Sequence, residues 1–142
     1  MLEMRFGKST KCNSFPIIFS HYTMIINKTT KRVISNKELF CRTLPAQLRG
    51  LMFRKKQNVI MVFDKEQKIS LHNFFVFYPI NVLVVNKNME IVEIKRQFKP
   101  FSFWNPAKKG KYVIELGRDE SKNKTSEGDF IEIKNVKLKA VI

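Results

Sequence analysis

The sequence predicts an α+β fold that is mostly β: a compact sheet or partly closed barrel of about seven to nine short strands with one short helix. Two observations carry this expectation. Thirteen Phe accompany one Trp and abundant Ile and Val, residue types that suit pleated, half-buried surfaces. Short apolar or alternating runs are separated by turn residues along most of the chain, whereas helical spacing stands out over residues 44–51.

With 142 residues, 44% of them apolar and 27% charged, the chain has the size and composition of one globular domain around one core. Residues 24–142 read as that single domain. Residues 1–23 lack any sustained period of 2 or 3.6 and read as an N-terminal extension or a misplaced start.

From Met24, residues 24–27 and 32–35 form two short strands around Lys28, Thr29, Thr30 and Lys31, a length that suits a hairpin loop. Residues 38–41 extend the second strand. Thr43 can cap a helix with Pro45 in its first turn and Leu44, Leu48 and Leu51 on one face, and Gly50 marks or kinks its end. Residues 59–63 are a continuous apolar strand, and Asp64, Lys65, Glu66 and Gln67 supply a polar turn after it. From Lys68, alternation puts Ile69, Leu71, Asn73, Phe75 and Phe77 on one face and His72, Phe74, Val76 and Tyr78 on the other. Both faces are apolar from Phe74 onward, the pattern of a strand covered on both sides or bent into a barrel, until Pro79 breaks it.

Residues 80–85 resume the strand, Asn86, Lys87 and Asn88 make a tight turn, and residues 89–98 return as the second arm of a meander. Pro100, Pro106 and Gly110 frame an irregular segment that holds Phe101, Phe103 and Trp104. Residues 112–116 are a further strand, residues 117–127 a charged loop, and Gly128 and Asp129 turn the chain into a strand at residues 130–133. Val136, Leu138 and Ala140 then alternate with lysines, and the slip of parity near Asn135 predicts a bulge or bend there.

The block from Leu44 through Ala46, Gly50, Leu51 and Met52 to Arg54 resembles the helix and Gly-Leu-Met signature of a prokaryotic family, domain of unknown function 192 or uncharacterised protein family 0127. Ser70, Leu71, His72 and Asn73 leading to Pro79, Ile80 and Asn81 are similar to its central motif. Val92, Glu93 and Ile94, then Pro100, residues 111–116, and Gly128 with Asp129 continue the order. The similarity spans about residues 24–134 and is nearest to the archaeal version. Asn81 stands where the family usually has Asp, and residues 117–127 carry a charged stretch. The resemblance implies a compact, mostly β domain with a short helix, and carries no established activity.

Twenty-seven Lys and Arg against twelve Asp and Glu leave a net charge of +15, concentrated towards the front and suited to nucleic acid or another anionic ligand. No stretch reaches the roughly 20 apolar residues of a membrane-crossing helix. The apolar block at residues 15–19 is shorter than a secretory core of about 7 to 15 residues, so a cytoplasmic location is expected, with Cys12 and Cys41 as reduced thiols.

His72, Asn73, Asn81 and Trp104 are the candidate ligand-binding residues, because polar groups within apolar strand text need partners and can line a recess. Arg49, Arg54, Lys55 and Lys56 at the helix end, with Lys99, Lys108, Lys109 and Lys111 beside Phe101, Phe103 and Trp104, are the candidate nucleic-acid surface. The two histidines, His21 and His72, lack the company a metal site needs, the five Gly are isolated, and no cofactor is expected. A hydrolase would need Cys41, Ser70 or Ser102 to meet His72, without any nucleophile elbow in the sequence. The sequence therefore favours a non-enzymatic binding or accessory module for a small ligand or protein, with RNA or single-stranded DNA binding as the alternative.

Overall fold

The computed structural model describes residues 21–36, 39–41, 57–117 and 124–137, and these build three sheets. The strands are β1 (His21–Asn27), β2 (Arg32–Asn36), β3 (Leu39–Cys41), β4 (Asn58–Gln67), β5 (Leu71–His72), β6 (Ile80–Val85), β7 (Ile91–Phe98), β8 (Phe103–Trp104), β9 (Gly110–Leu116) and β10 (Ile131–Lys137). The largest sheet has the order β3-β4-β9-β6-β7 and is antiparallel except for the β3–β4 pair. A three-stranded sheet, β10-β1-β2, and a two-stranded ribbon, β5-β8, accompany it.

Alternation along the central strands explains the packing. Ile60, Leu83, Val85, Tyr112, Ile114 and Leu116 project from one face of the large sheet and pack against Ile25, Ile34, Ile131 and Ile133 of the three-stranded sheet. Val59, Met61, Val82, Val84 and Val113 project from the other face and pack with Ile69, Leu71, Val76 and Phe98, while Trp104 closes over them. Covered on both faces, β6 is buried at each of its six positions, as its unbroken apolar text requires. Gly110, at the start of β9, leaves no room for a side chain, since a Cβ there would lie 2.6 Å from the Val84 side chain and 3.0 Å from that of Ile69.

The mostly β expectation holds, and several finer expectations change. Among the described residues the large sheet ends in the edge strands β3 and β7 and does not close into a barrel. The helix expected over residues 43–51 lies outside the described residues. Residues 39–41 do not extend β2 but pair with β4 in parallel. The polar residues 64–67 are not a turn; they lengthen β4, and Gln67 pairs with Gly110. β1 begins at His21, three residues before the strand pattern in the sequence, and β10 runs beside it in unbroken register from Ile131 to Lys137, without a bulge at Asn135.

Candidate functional site

The ribbon is made of two strands of two residues each, with Leu71 opposite Trp104 and His72 opposite Phe103. Alternation turns Leu71 and Trp104 towards the core and His72 and Phe103 away from it. Asn73 prolongs the pairing through its backbone: its N–H donates to Ser102 at 2.9 Å and its carbonyl accepts from Phe101 N–H at 2.8 Å. Beyond that point both chains turn, and Phe75 (φ 55°) and Phe101 (φ 56°) adopt left-handed backbone. The two-faced apolar text from Phe74 to Tyr78 is thus not a covered strand. Its rings leave the sheet at the turn, and Phe75 and Phe77 become exposed.

Three of the four candidate ligand-binding residues converge on the last two residues of β7. Asn81 Oδ1 accepts from the Gln97 N–H at 3.0 Å, where Gln97 has φ 52° and the β6–β7 register shifts. Asn73 Nδ2 donates to the Phe98 carbonyl at 2.9 Å, and the Phe98 ring meets Trp104 edge to face at 6.4 Å between centroids. The Asn73 Oδ1 is buried and accepts no hydrogen bond among the described residues. These groups hold Phe98, itself 1% exposed, beneath the ribbon. His72 lies apart from them: its ring stacks on Phe74 at 5.4 Å and its Nδ1 accepts from the Phe74 N–H at 3.4 Å.

Above this support lies an aromatic surface. Phe101 is its hub, with the rings of Phe74, Phe75 and Phe77 at 6.4, 6.2 and 6.3 Å, and Phe103 stands perpendicular to Phe74 at 4.7 Å. Phe75 is 44% exposed, Phe77 66%, Phe101 57% and Phe103 71%. Scattered exposed apolar side chains are ordinary, but a contiguous group of large ones marks an interaction surface. Aromatics in the segment at residues 100–104 stand out in the sequence. Phe75 and Phe77 are hidden there, because only the left-handed turn before Pro79 separates an exposed pair from a buried strand.

Lys99, Lys108 and Lys109 are exposed and Lys111 is half-buried, with its Nζ donating to the Asp64 carbonyl at 3.2 Å. Arg49, Arg54, Lys55 and Lys56 lie outside the described residues. The Ser102 hydroxyl donates to the Lys99 carbonyl rather than to His72. Among the described residues no three His, Cys, Asp or Glu side chains gather as a metal ion would require, and no helix is long and apolar enough to cross a membrane.

A family model for DUF192, described as an uncharacterised ACR, matches residues 25–133. The chain is 32% identical to a UPF0127 protein of Thermococcus sibiricus over 65% of its own length and 62% of that relative's, so it spans less than two thirds of this relative. It is 33% identical to a UPF0127 protein of Pyrococcus furiosus over 64% of its own length and 80% of that relative's. Two crystal structures share the fold. One, of a Novosphingobium aromaticivorans protein of unknown function, has a TM-score of 0.67 at 17% identity, covering 78% of this chain and 83% of the other. The second, of a Sinorhizobium meliloti protein whose description proposes a transcription regulator, has a TM-score of 0.69 at 18% identity, covering 79% and 92%.

Proposed function

We propose, from the premise that this chain belongs to the DUF192 family of uncharacterised proteins, that it is a non-enzymatic binding module whose ligand seats on the face formed by Phe75, Phe77, Phe101 and Phe103. The observation that carries the proposal is the contiguous exposure of these four rings. Leaving them in water forgoes burial that each ring would gain in a core. Left-handed backbone adds a cost of about 1 to 3 kcal/mol at Phe75 and again at Phe101, which Gly would relieve. Exposure and left-handed backbone coincide at Phe75 and Phe101, where a large aromatic side chain carries a cost that Gly would not. A ligand gains from the rings, because aromatic anchors dominate the energy of binding surfaces.

In this reading Asn73, Asn81 and Trp104 support the face from beneath, and His72 contributes at its rim. The test is aromatic ring NMR of the intact chain against four probe classes: short oligonucleotides, acidic peptides, anionic vesicles and aromatic small molecules. At least one class should shift the ring signals of the four phenylalanines, and Phe101→Ser should weaken that binding by about tenfold. Shifts confined to other parts of the chain, or unmoved rings with every probe, would overturn the reading.

A further inference from the structure

Resting on that reading, we infer that the ligand of the aromatic face is a single-stranded nucleic acid, its bases stacked on the phenylalanine rings and its phosphates neutralised by Lys68, Lys99, Lys108 and Lys109. The first support is the distribution of charge. The segments that build the face, residues 68–79 and 99–109, contain these four lysines and not one of the chain's twelve carboxylates. All four are exposed, and none is ion-paired to a carboxylate among the described residues. Lys68 is held at the base of the ribbon by donating its Nζ to the Ala107 carbonyl. Glu93 accepts from the backbone N–H of Lys108 at 3.1 Å and, among the described residues, does not pair with a lysine side chain.

The second support is the arrangement of the rings. Phe103 meets Phe74 at an interplanar angle of 90°, and Phe101 meets Phe75 at 76° and Phe77 at 65°. None of these pairs is stacked face to face, so flat ring faces remain for a ligand that brings flat faces of its own. Bases of a single strand offer such faces, whereas in a duplex they are hidden against one another. An anionic lipid surface would answer the lysines but would make no use of ring planes.

The experiment is fluorescence anisotropy of labelled oligothymidylate and oligouridylate of about 12 nucleotides, a length within the usual footprint of such platforms. A duplex of equal length and anionic phosphatidylglycerol vesicles serve as parallel probes. The wild type should bind the single strands, less tightly as salt rises, and more tightly than the duplex. Phe103→Ser should weaken binding by about tenfold or more with the salt slope unchanged. Lys99→Gln combined with Lys109→Gln should reduce that slope by about 1.4, at roughly 0.7 per phosphate contact. Phe103 is the most exposed ring, so its variant retains the fold even if Phe101→Ser does not; urea unfolding verifies this.

Equal or tighter binding of duplex overturns the inference, as does single-strand binding indifferent to Phe101→Ser and Phe103→Ser. Vesicle binding that Phe103→Ser abolishes, without oligonucleotide binding, overturns the nucleic-acid partner and leaves the aromatic face standing as a binding site. Ring signals that respond to none of these probes or to the peptides and small molecules remove both conclusions.

Discussion

Asn81 and Asn73 engage β7 through opposite ends of the same functional group. Asn81 presents its oxygen to the Gln97 N–H, which can only donate, and Asn73 presents its nitrogen to the Phe98 carbonyl, which can only accept, so neither amide can be turned round. Substitution by Asp therefore separates them. Asn81→Asp keeps the acceptor and should stay within about 1 kcal/mol of the wild type, whereas Asn81→Leu strands the Gln97 N–H and should cost about 1 to 3 kcal/mol. Asn73→Asp sets a carboxylate oxygen against a carbonyl in a buried site and should cost about 3 kcal/mol or more, from lost hydrogen bonding and desolvation together. Urea unfolding of the three variants gives the order directly; an Asn73→Asp protein as stable as Asn81→Asp would contradict the assignment. The sequence marks both asparagines as polar groups in need of partners. It does not reveal that those partners are backbone groups of one strand end, because nothing in the text of residues 73 and 81 points to residues 97 and 98.

Hairpins closed by side-chain to backbone bonds were the elements most legible in the sequence. Asn86 Oδ1 accepts from the N–H groups of Asn88 and Glu90 at 2.9 and 3.0 Å, and the strands on either side, β6 and β7, fall where the alternation puts them, β7 beginning two residues late. Asn27 does the same for β1 and β2, accepting from Thr29 and Thr30 at 3.0 and 3.1 Å. The far end of β4 was illegible, because polar residues 64–67 at a half-exposed strand end look like a turn until Gln67 is seen to pair with Gly110 of β9. The start of β1 was illegible for a related reason: His21, Tyr22 and Thr23 show no pattern of their own and owe their strand to β10, where they face Lys137, Val136 and Asn135. That pairing sets a boundary that can be measured. A chain beginning at Met24 should melt several degrees lower than one beginning at His21, for want of three ladder pairs. Calorimetry of the two truncations is sufficient, and identical melting temperatures would show the three pairs to be idle.

At the scale of the whole molecule, one sheet serves two cores. Leu83 and Val84 are neighbours on β6 and point to opposite faces, Leu83 into the core shared with β1, β2 and β10, Val84 into the core beneath the ribbon. Neither core can empty without exposing the sheet that lines the other, so the described residues should unfold as one cooperative unit. Leu83→Ala should cost about 2 to 5 kcal/mol and Val84→Ala somewhat less. Each should shift a single transition seen alike by near- and far-ultraviolet circular dichroism, and two separated transitions would show independent cores. The sequence conveyed the amount of apolar surface but not its division, since continuous runs such as residues 80–85 read alike whichever partners cover each face. Strand order also has a temporal side. β9 lies between β4 and β6 yet follows both in the chain, and β1 pairs with β10, more than a hundred residues later. As the polypeptide leaves the ribosome, β4 and β6 must wait for the strand that joins them, with their apolar faces unshielded. Loop-closure entropy is spent before those distant pairings reward it, which makes for slow folding and a window in which a holding chaperone would find its substrate.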